Sequence, residues 1–266
     1  MHDLSPAAWQ PLLTTRTLGR GAVICEHTLA STNTVLKDFA RKGTFREAIC
    51  LCEQQTTGRG RLDRSWSSPE GQGVWMSVLL QPGLPPERLP LLTLCAAVAM
   101  TQALRALPGC GARIKWPNDV ILCGRKVCGV LLEAGFAPDG RQFVVIGTGL
   151  NVRREAYPPE LADRAIALEE VCPPPERSAL IAAYLNHLEE AIRACESGYI
   201  PGFLKTYRNF SCTLGSAVQV IAPAETYAGT ALDVDDSGAL LVRAEDGSVR
   251  RVLAGDVSVR GMMGYV

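Results

Sequence analysis

The stretch TTGRGRLDRSW, residues 56–66, sets Arg59, Arg61 and Arg64 into one loop with Gly58 and Gly60. Three cations on a glycine-bearing loop suit a solvated turn, a nucleic-acid patch or a clamp on a small anion. Other polar groups stand at the ends of apolar runs. Gln55 precedes the loop. Lys115, Asn118 and Asp119 surround a Trp-Pro, Lys126 leads into VCGVLL, and Asn151 follows GTGL. Connecting loops of this kind are favoured positions for binding and catalysis. Arg59, Arg61, Lys115 and Lys126, with the carboxylate of Asp119, suit a polyphosphate accompanied by magnesium, because each charge-assisted hydrogen bond contributes about 1.5–3 kcal/mol. Gly58 and Gly60 would let backbone N–H groups come close to an anion. Each segment alone also has a plain reading. Pro-Asn-Asp is ordinary turn chemistry, GRGR a solvated loop, Lys126 a surface lysine, and Trp66 and Trp116 core residues. Their order along the chain is what raises the reading of a site.

Composition narrows the classes. The 266 residues carry 27 basic and 27 acidic side chains and are 47% hydrophobic, enough for one good-sized core. Zero net charge argues against a protein that coats DNA or RNA, since such proteins carry a basic excess. No phosphate-binding G-x-x-x-x-G-K-[ST] occurs, no G-x-G-x-x-G stands between a strand and a helix, and no G-x-S-x-G or H-E-x-x-H is present. The ten cysteines include no C-x-x-C pair, and His2, His27 and His187 lie far apart. The cysteines read as reduced, buried, small hydrophobes of a cytoplasmic protein. The first residues, MHDLSPAAWQ, have no apolar run of the signal-peptide kind. The apolar segment Leu89–Leu104 is shorter than the ~20 residues a membrane span needs and is flanked by Arg88 and Arg105. It reads as a helix buried in the core, with no membrane role.

The elements that must position these residues can be drawn from periodicity. ASTNTVLKDFARKG is a helix, with Ser31 or Thr32 as cap, apolar Val35, Leu36, Phe39 and Ala40, and Gly43 at its end. EAICLCEQQ and GVWMSVLLQP are strands on either side of the glycine-arginine loop. GARIKWPNDVIL is a strand that runs into Pro117. KVCGVLLEAGF and FVVIGTGLNV are two more strands, with inner glycines where close backbone approach is expected. A long amphipathic helix lies between Pro175 and Gly198, and a short one spans about 201–207. After about Cys212 the chain changes to short alternating strands with turns at Asp236-Ser237-Gly238 and Asp246-Gly247. The expectation is an α+β main domain over 1–212, with a mixed or largely antiparallel sheet and packed helices, and a small β domain over 213–266.

Taken in order, STNT, EQQTTGRGRLDRSWSSPEGQGVWMSVLL, IKWPNDVIL, RKVCGVLLEAG, VVIGTGLNV and GDVSVRG resemble the biotin protein ligases over roughly residues 25–260. The resemblance implies a catalytic domain like that of the class II synthetases and a C-terminal SH3-like β-barrel. It also implies two half-reactions. The biotin carboxylate attacks ATP to give biotinyl-5′-AMP and pyrophosphate, and the adenylate then acylates one lysine of a biotin carboxyl carrier domain, such as that of acetyl-CoA carboxylase or a related carboxylase. On this resemblance, Ser31, Thr32, Asn33 and Gln55 bind the ureido ring, and Gly58, Arg59, Gly60 and Arg61 form a loop over carboxylate and phosphate. Arg61 and Lys126 stabilise the charge that develops, and Gly129 leaves room beside biotin. Lys115, Asn118 and Asp119 hold phosphates and magnesium. Trp66 and Asn151 sit near the adenosine, and Arg260 reaches back from the C-terminal domain.

Two departures from the family pattern stand out. Many relatives carry a glycine after the second arginine of the loop, where this chain has Leu62-Asp63. Thirty residues precede Ser31, too few for the helix-turn-helix domain with which some members bind DNA, so a ligase without repressor function is expected. Family members are monomers or dimers, and no sequence pattern decides whether this chain forms a homodimer. A lipoate or octanoate ligase or transferase shares the fold, but is not expected to carry the glycine-arginine loop. A non-catalytic nucleic-acid-binding module is the reading from another class, and neutral net charge speaks against it.

Overall fold

The computed structural model describes residues 2–221, 225–253 and 258–261, the last four as backbone alone. A short helix α1 (Pro6–Trp9) precedes strand β1 (Ala22–Leu29), helix α2 (Thr32–Arg41) and strand β2 (Ala48–Gln55). Then come β3 (Gly73–Leu80), α3 (Pro90–Arg105), β4 (Arg113–Lys115), β5 (Asp119–Leu122), β6 (Arg125–Phe136) and β7 (Gln142–Asn151). Helices α4 (Arg177–Glu196) and α5 (Ile200–Phe210) complete this part. The seven strands form one sheet in the order β1-β2-β3-β7-β6-β5-β4. Only β1 and β2 pair in parallel, across the α2 crossover; the other pairs are antiparallel. The mixed sheet and packed helices are those expected from the sequence.

Alternation along the strands buries both faces of this sheet. Ile49, Leu51, Met76, Val78, Val144 and Ile146 join α3 and α4 in the main core. Their neighbours Cys50, Leu79, Phe143 and Val145 pack instead with Leu36 and Ala40 of α2. Helix α3 is buried along nearly its whole circumference, as its composition demands. The shorter α2 covers only part of its face. Beyond it, β6 and β7 place Gly129, Gly147 and Gly149, which stand in register for the function-bearing residues to lie over them.

Two local expectations need correction, and one strand is new. Ser31 occupies the N-cap position of α2, but its side chain makes no capping bond; residues Thr32 and Asn33 turn their side chains to other partners. The single strand expected before Pro117 is a hairpin, in which Lys115 of β4 pairs with Asp119 of β5, and Trp-Pro-Asn forms its tip. Strand β1 escaped the periodicity because its second half, Glu26-His27-Thr28, is exposed at the sheet edge.

The C-terminal strands β8 (Ala217–Ile221), β9 (Thr226–Val234), β10 (Leu240–Ala244), β11 (Val249–Val252) and β12 (Ser258–Gly261) form an antiparallel sheet ordered β11-β10-β9-β8-β12. Asp235 and Asp246 close its two turns by accepting bonds from Ser237 N and Ser248 N. Trp116, at the β4–β5 tip, ties this sheet to the main one. Its indole donates to Gly238 O at 3.1 Å, and its backbone N–H to Thr213 Oγ1 at 2.9 Å. Trp116 is therefore a buried joint that also borders the cavity lined by Trp66.

Candidate functional site

A cavity of about 890 Å³ opens on the part of the sheet that α2 leaves uncovered. Ser31, Thr32 and Asn33 from the start of α2, Gln55 from the end of β2, and Leu131 of β6 line one end. Arg61, Trp66, Lys115, Asn118, Asp119, Lys126, Gly129 and Asn151 line the other; Arg59 and Gly60 of the loop also line the cavity, and Arg59 reaches toward Glu133 behind the first end. Leu131 lies two residues along β6 from Gly129 and five from Lys126, so the two ends are separated by about 7–17 Å of strand. Of the expected residues, Gly58 stands apart from the lining. A Cβ there would come 2.3 Å from Trp66 O and 2.9 Å from Ser68 Oγ, so its missing side chain packs the loop on itself. Arg260 lies on β12 with its backbone opposite Gln219, a lining residue. Its side chain is outside the described residues.

The side chains lining the first end are uncharged and bonded to one another. Gln55 Oε1 accepts from Thr32 N at 2.9 Å, and Gln55 Nε2 donates to Ser68 Oγ at 2.8 Å. Thr32 Oγ1 lies 2.6 Å from Ser77 Oγ, and Ser77 Oγ donates to Asn33 Oδ1 at 2.6 Å. Asn33 Nδ2 donates to Glu133 Oε2 at 2.9 Å. Room for the Asn33 amide exists only because residue 147 is glycine, where a Cβ would lie 2.2 Å from Asn33 Oδ1. Burial works against ionisation of Glu133. Hydrogen bonds from Lys37 and Asn33 and the charge of Arg59 outweigh it, and hold the carboxyl below the ordinary glutamate range.

The second end is ionic. Lys126 Nζ lies 2.5 Å from Asp119 Oδ1 and 5.0 Å from the Trp66 ring centre, a cation–π distance. Arg61 donates to Asn118 Oδ1 at 3.1 Å, and Asn118 is itself fixed by Nδ2 donating to Val130 O at 2.7 Å. Burial lowers the Arg61 pKa from the usual arginine range, Asp119 opposes that, and Arg64 adds to it. Trp66 lies against two glycines. A Cβ at Gly149 would meet its Nε1 at 2.4 Å, and one at Gly129 would meet Lys126 Cε at 2.8 Å and Trp66 at 3.0 Å. Gly129 itself lines the cavity, and a side chain there would displace Lys126 and Trp66. Asn151 is buried and donates to Ile166 O at 3.2 Å, so it also anchors the segment crossing the cavity. That segment is bound to the site lysine on both sides, with Lys126 N donating to Arg164 O and Ile166 N to Lys126 O.

The glycine-arginine loop folds back on itself. Gly60 N donates to Arg64 O, Arg64 N to Arg61 O and Trp66 N to Gly58 O, with Leu62 and Asp63 at its tip. Both tip residues have positive φ, 53° and 55°, where L side chains are strained. Arg59 reaches to 3.6 Å from Glu133 Oε1. Glu133, Ser77 and Lys37 were not singled out from the sequence. The signal for Glu133 was one ionisable residue on the G-V-L-L-E-A-G face of β6. Among the described residues no group of three or more His, Cys, Asp or Glu could hold a metal ion. A single carboxylate, Asp119, fits magnesium that arrives with a nucleotide and takes most of its ligands from phosphate and water.

Sheet, cavity and C-terminal strands together define an α+β small-molecule-binding domain with an appended β domain, its cleft neutral at one end and cationic at the other. Residues 26–151 match the family model described as the biotin/lipoate A/B protein ligase family, and residues 213–260 that of the biotin protein ligase C-terminal domain. The biotin–[acetyl-CoA-carboxylase] ligase of Mycobacterium tuberculosis is 33% identical over 85% of this chain and 85% of its own. The bifunctional ligase/repressor BirA of Bacillus subtilis is 32% identical over 89% of this chain and 74% of its own. A solved biotin protein ligase from Aquifex aeolicus in complex with biotin and ATP aligns with TM-score 0.77 and 28% identity, over 90% of this chain and 99% of that one. The chain belongs to the biotin protein ligase family.

Proposed function

We propose that this chain is an ATP-dependent biotin protein ligase that forms biotinyl-5′-AMP and transfers biotin to a lysine of a biotin carboxyl carrier protein. One observation carries the reading: a single cavity sets a neutral amide-and-hydroxyl cluster (Thr32, Asn33, Gln55) apart from a cationic one (Arg61, Lys115, Lys126). Biotin has this polarity, with a neutral ureido ring and an anionic tail. The family membership supports the same assignment.

Ser31, Thr32, Asn33 and Gln55 take the ureido ring. Arg61 and Lys126 bring the biotin carboxylate and the α-phosphate together despite their like charge, and stabilise the negative charge that gathers as the new C–O–P linkage forms and pyrophosphate leaves. Lys115 and Asn118 take phosphate oxygens, and Asp119 would hold the magnesium that comes with the nucleotide, which would neutralise phosphate charge. Trp66, Asn151 and Arg260 border the nucleoside. In the second step the ε-amine of the carrier lysine attacks the acyl carbon, and AMP leaves with the bonding electron pair. The loop 58–61 and the segment around Arg164 keep water from the reactive adenylate. We place the boundary between the domains near residue 212.

The test is incubation with ATP, magnesium, biotin and a carrier domain, followed by intact-mass measurement. The carrier gains one biotinyl group; an unchanged carrier mass contradicts the assignment.

A further inference from the structure

Ser77 and Glu133 lie behind the cavity lining, yet an unbroken run of hydrogen bonds joins them to it. The direction of each bond can be worked out from one end. The Glu133 carboxylate takes Lys37 Nζ on Oε1 at 2.5 Å and Asn33 Nδ2 on Oε2 at 2.9 Å. An ionised carboxylate only accepts, so the Asn33 amide must present its nitrogen to Glu133 and its oxygen to Ser77. Ser77 Oγ donates its one proton to that oxygen at 2.6 Å. The 2.6 Å contact between Ser77 and Thr32 must then run from Thr32 to Ser77. Thr32 also has only one hydroxyl proton. It cannot serve Gln55 Oε1 as well, which lies farther off at 3.2 Å and accepts from Thr32 N instead.

Two acceptor oxygens, Thr32 Oγ1 and Gln55 Oε1, are therefore left 3.2 Å apart with no proton between them, on residues that line the cavity. Reversing the run would point the Asn33 oxygen at a carboxylate and strand buried groups, because Asn33 is 4% and Ser77 0% exposed. Two lone-pair-bearing oxygens side by side need a donor from elsewhere.

We infer that Glu133 is a positioning residue which, through Asn33 and Ser77, fixes Thr32 and Gln55 as paired acceptors and so selects a ligand head that donates N–H there. This rests on the biotin reading, since the ureido ring supplies such N–H donors. A Gln at 133 keeps the shape and can still accept from Lys37, but its Nε2 donates. That lets the Asn33 amide turn over, at the loss of the 3.4 Å bond its Nδ2 also makes to Leu131 O, so that Ser77 donates to Thr32 and Thr32 offers a proton to the cavity.

The experiment is titration calorimetry on the full chain with biotin and with two cyclic-carbamate isosteres, each replacing one ureido N–H by oxygen. For the unmodified protein, one isostere binds at least about a thousandfold more weakly than biotin, as expected where buried acceptors lose their donor. In Glu133→Gln, biotin weakens about ten- to a hundredfold and the biotin-to-isostere ratio collapses to about tenfold or less. Glu133→Asp, which keeps an acceptor-only group, restores part of the ratio. A merely structural role would lower the melting temperature and leave the ratio unmoved. If Glu133→Gln fails to fold, Ser77→Ala serves instead. It removes the acceptor for the Thr32 proton, frees Thr32 to donate to Gln55, and again lowers the ratio. Absence of heat with biotin for the unmodified protein overturns the ligase reading and this inference together. Normal biotin binding with an unchanged ratio in both variants overturns this inference alone.

Discussion

The two ends of the cavity are built by different means. At the amide end Thr32, Asn33 and Ser77 are buried to within 4% exposure and hold one another by short bonds from α2, β3 and β6. At the ionic end the charges neutralise each other, Lys126 with Asp119, and Arg61 rides on a loop whose tip residue Asp63 has a side chain 99% exposed. Recognition of a fixed neutral ring calls for a network that does not adapt. Activation calls for cations that can leave internal partners for carboxylate and phosphate as the reaction proceeds. The contrast teaches that affinity and rate should be separable by mutation.

The largest effect is expected from Lys126→Ala. Pyrophosphate release falls about 10²–10³-fold, the size seen when one preorganised charge stabiliser is removed, while biotin affinity changes far less. Comparable losses in both would erase the contrast. Next comes Gly149→Ala, whose methyl would meet Trp66 Nε1 at 2.4 Å. Overpacking of this kind costs about 1–3 kcal/mol. It displaces Trp66 and Lys126 together, which thermal melting and the tryptophan emission spectrum report. For Arg61→Ala, biotinyl-5′-AMP dissociates about tenfold faster or more, as for loss of a charged hydrogen bond, with the fold intact; stopped-flow release of the adenylate measures it.

A pH test addresses the amide end. The Glu133 carboxyl is held below its ordinary 4.5, chiefly by the Lys37 and Asn33 bonds acting against burial. A depressed folded pKa gives a contribution that is full above 4.5 and disappears as pH falls through the lower, folded value. Affinity for biotinamide, which has no carboxylate of its own, should therefore be flat from neutral pH to about 4.5 and fall only below it. A decline already complete at pH 6 would contradict the ionised Glu133. The smallest effect belongs to Leu62→Gly. Glycine relieves the left-handed strain at φ 53° but adds freedom to the unfolded chain, so stability shifts by about 1 kcal/mol or less. The adenylate release rate then shows whether the loop tip matters.

Much of this could be read from the sequence because local patterns sufficed. The apolar runs of β2, β3, β6 and β7 are long, α3 is apolar on all sides, and KWPND and GRGR are compact signals. What escaped depended on partners distant in sequence. Glu133 acquires its role from Asn33, a hundred residues away, and Ser77 from Thr32 and Asn33 across the sheet. The close approaches at Gly58 and Gly129 likewise depend on the fold, since an added Cβ would meet Trp66 O and Ser68 Oγ at the first and Lys126 and Trp66 at the second. Strand β1 lacked a continuous apolar signal because it lies at an edge, where three of its eight residues are exposed to water.

The central claim is that one cavity holds a ureido head at its neutral end while its cationic end drives attack of the tail on ATP. Biotin-dependent exchange of labelled pyrophosphate into ATP, in the presence of magnesium, tests it most directly. The account predicts exchange with biotin, none without it, and none with lipoate at the same concentration. Equal exchange with lipoate, or no exchange with biotin, would contradict it.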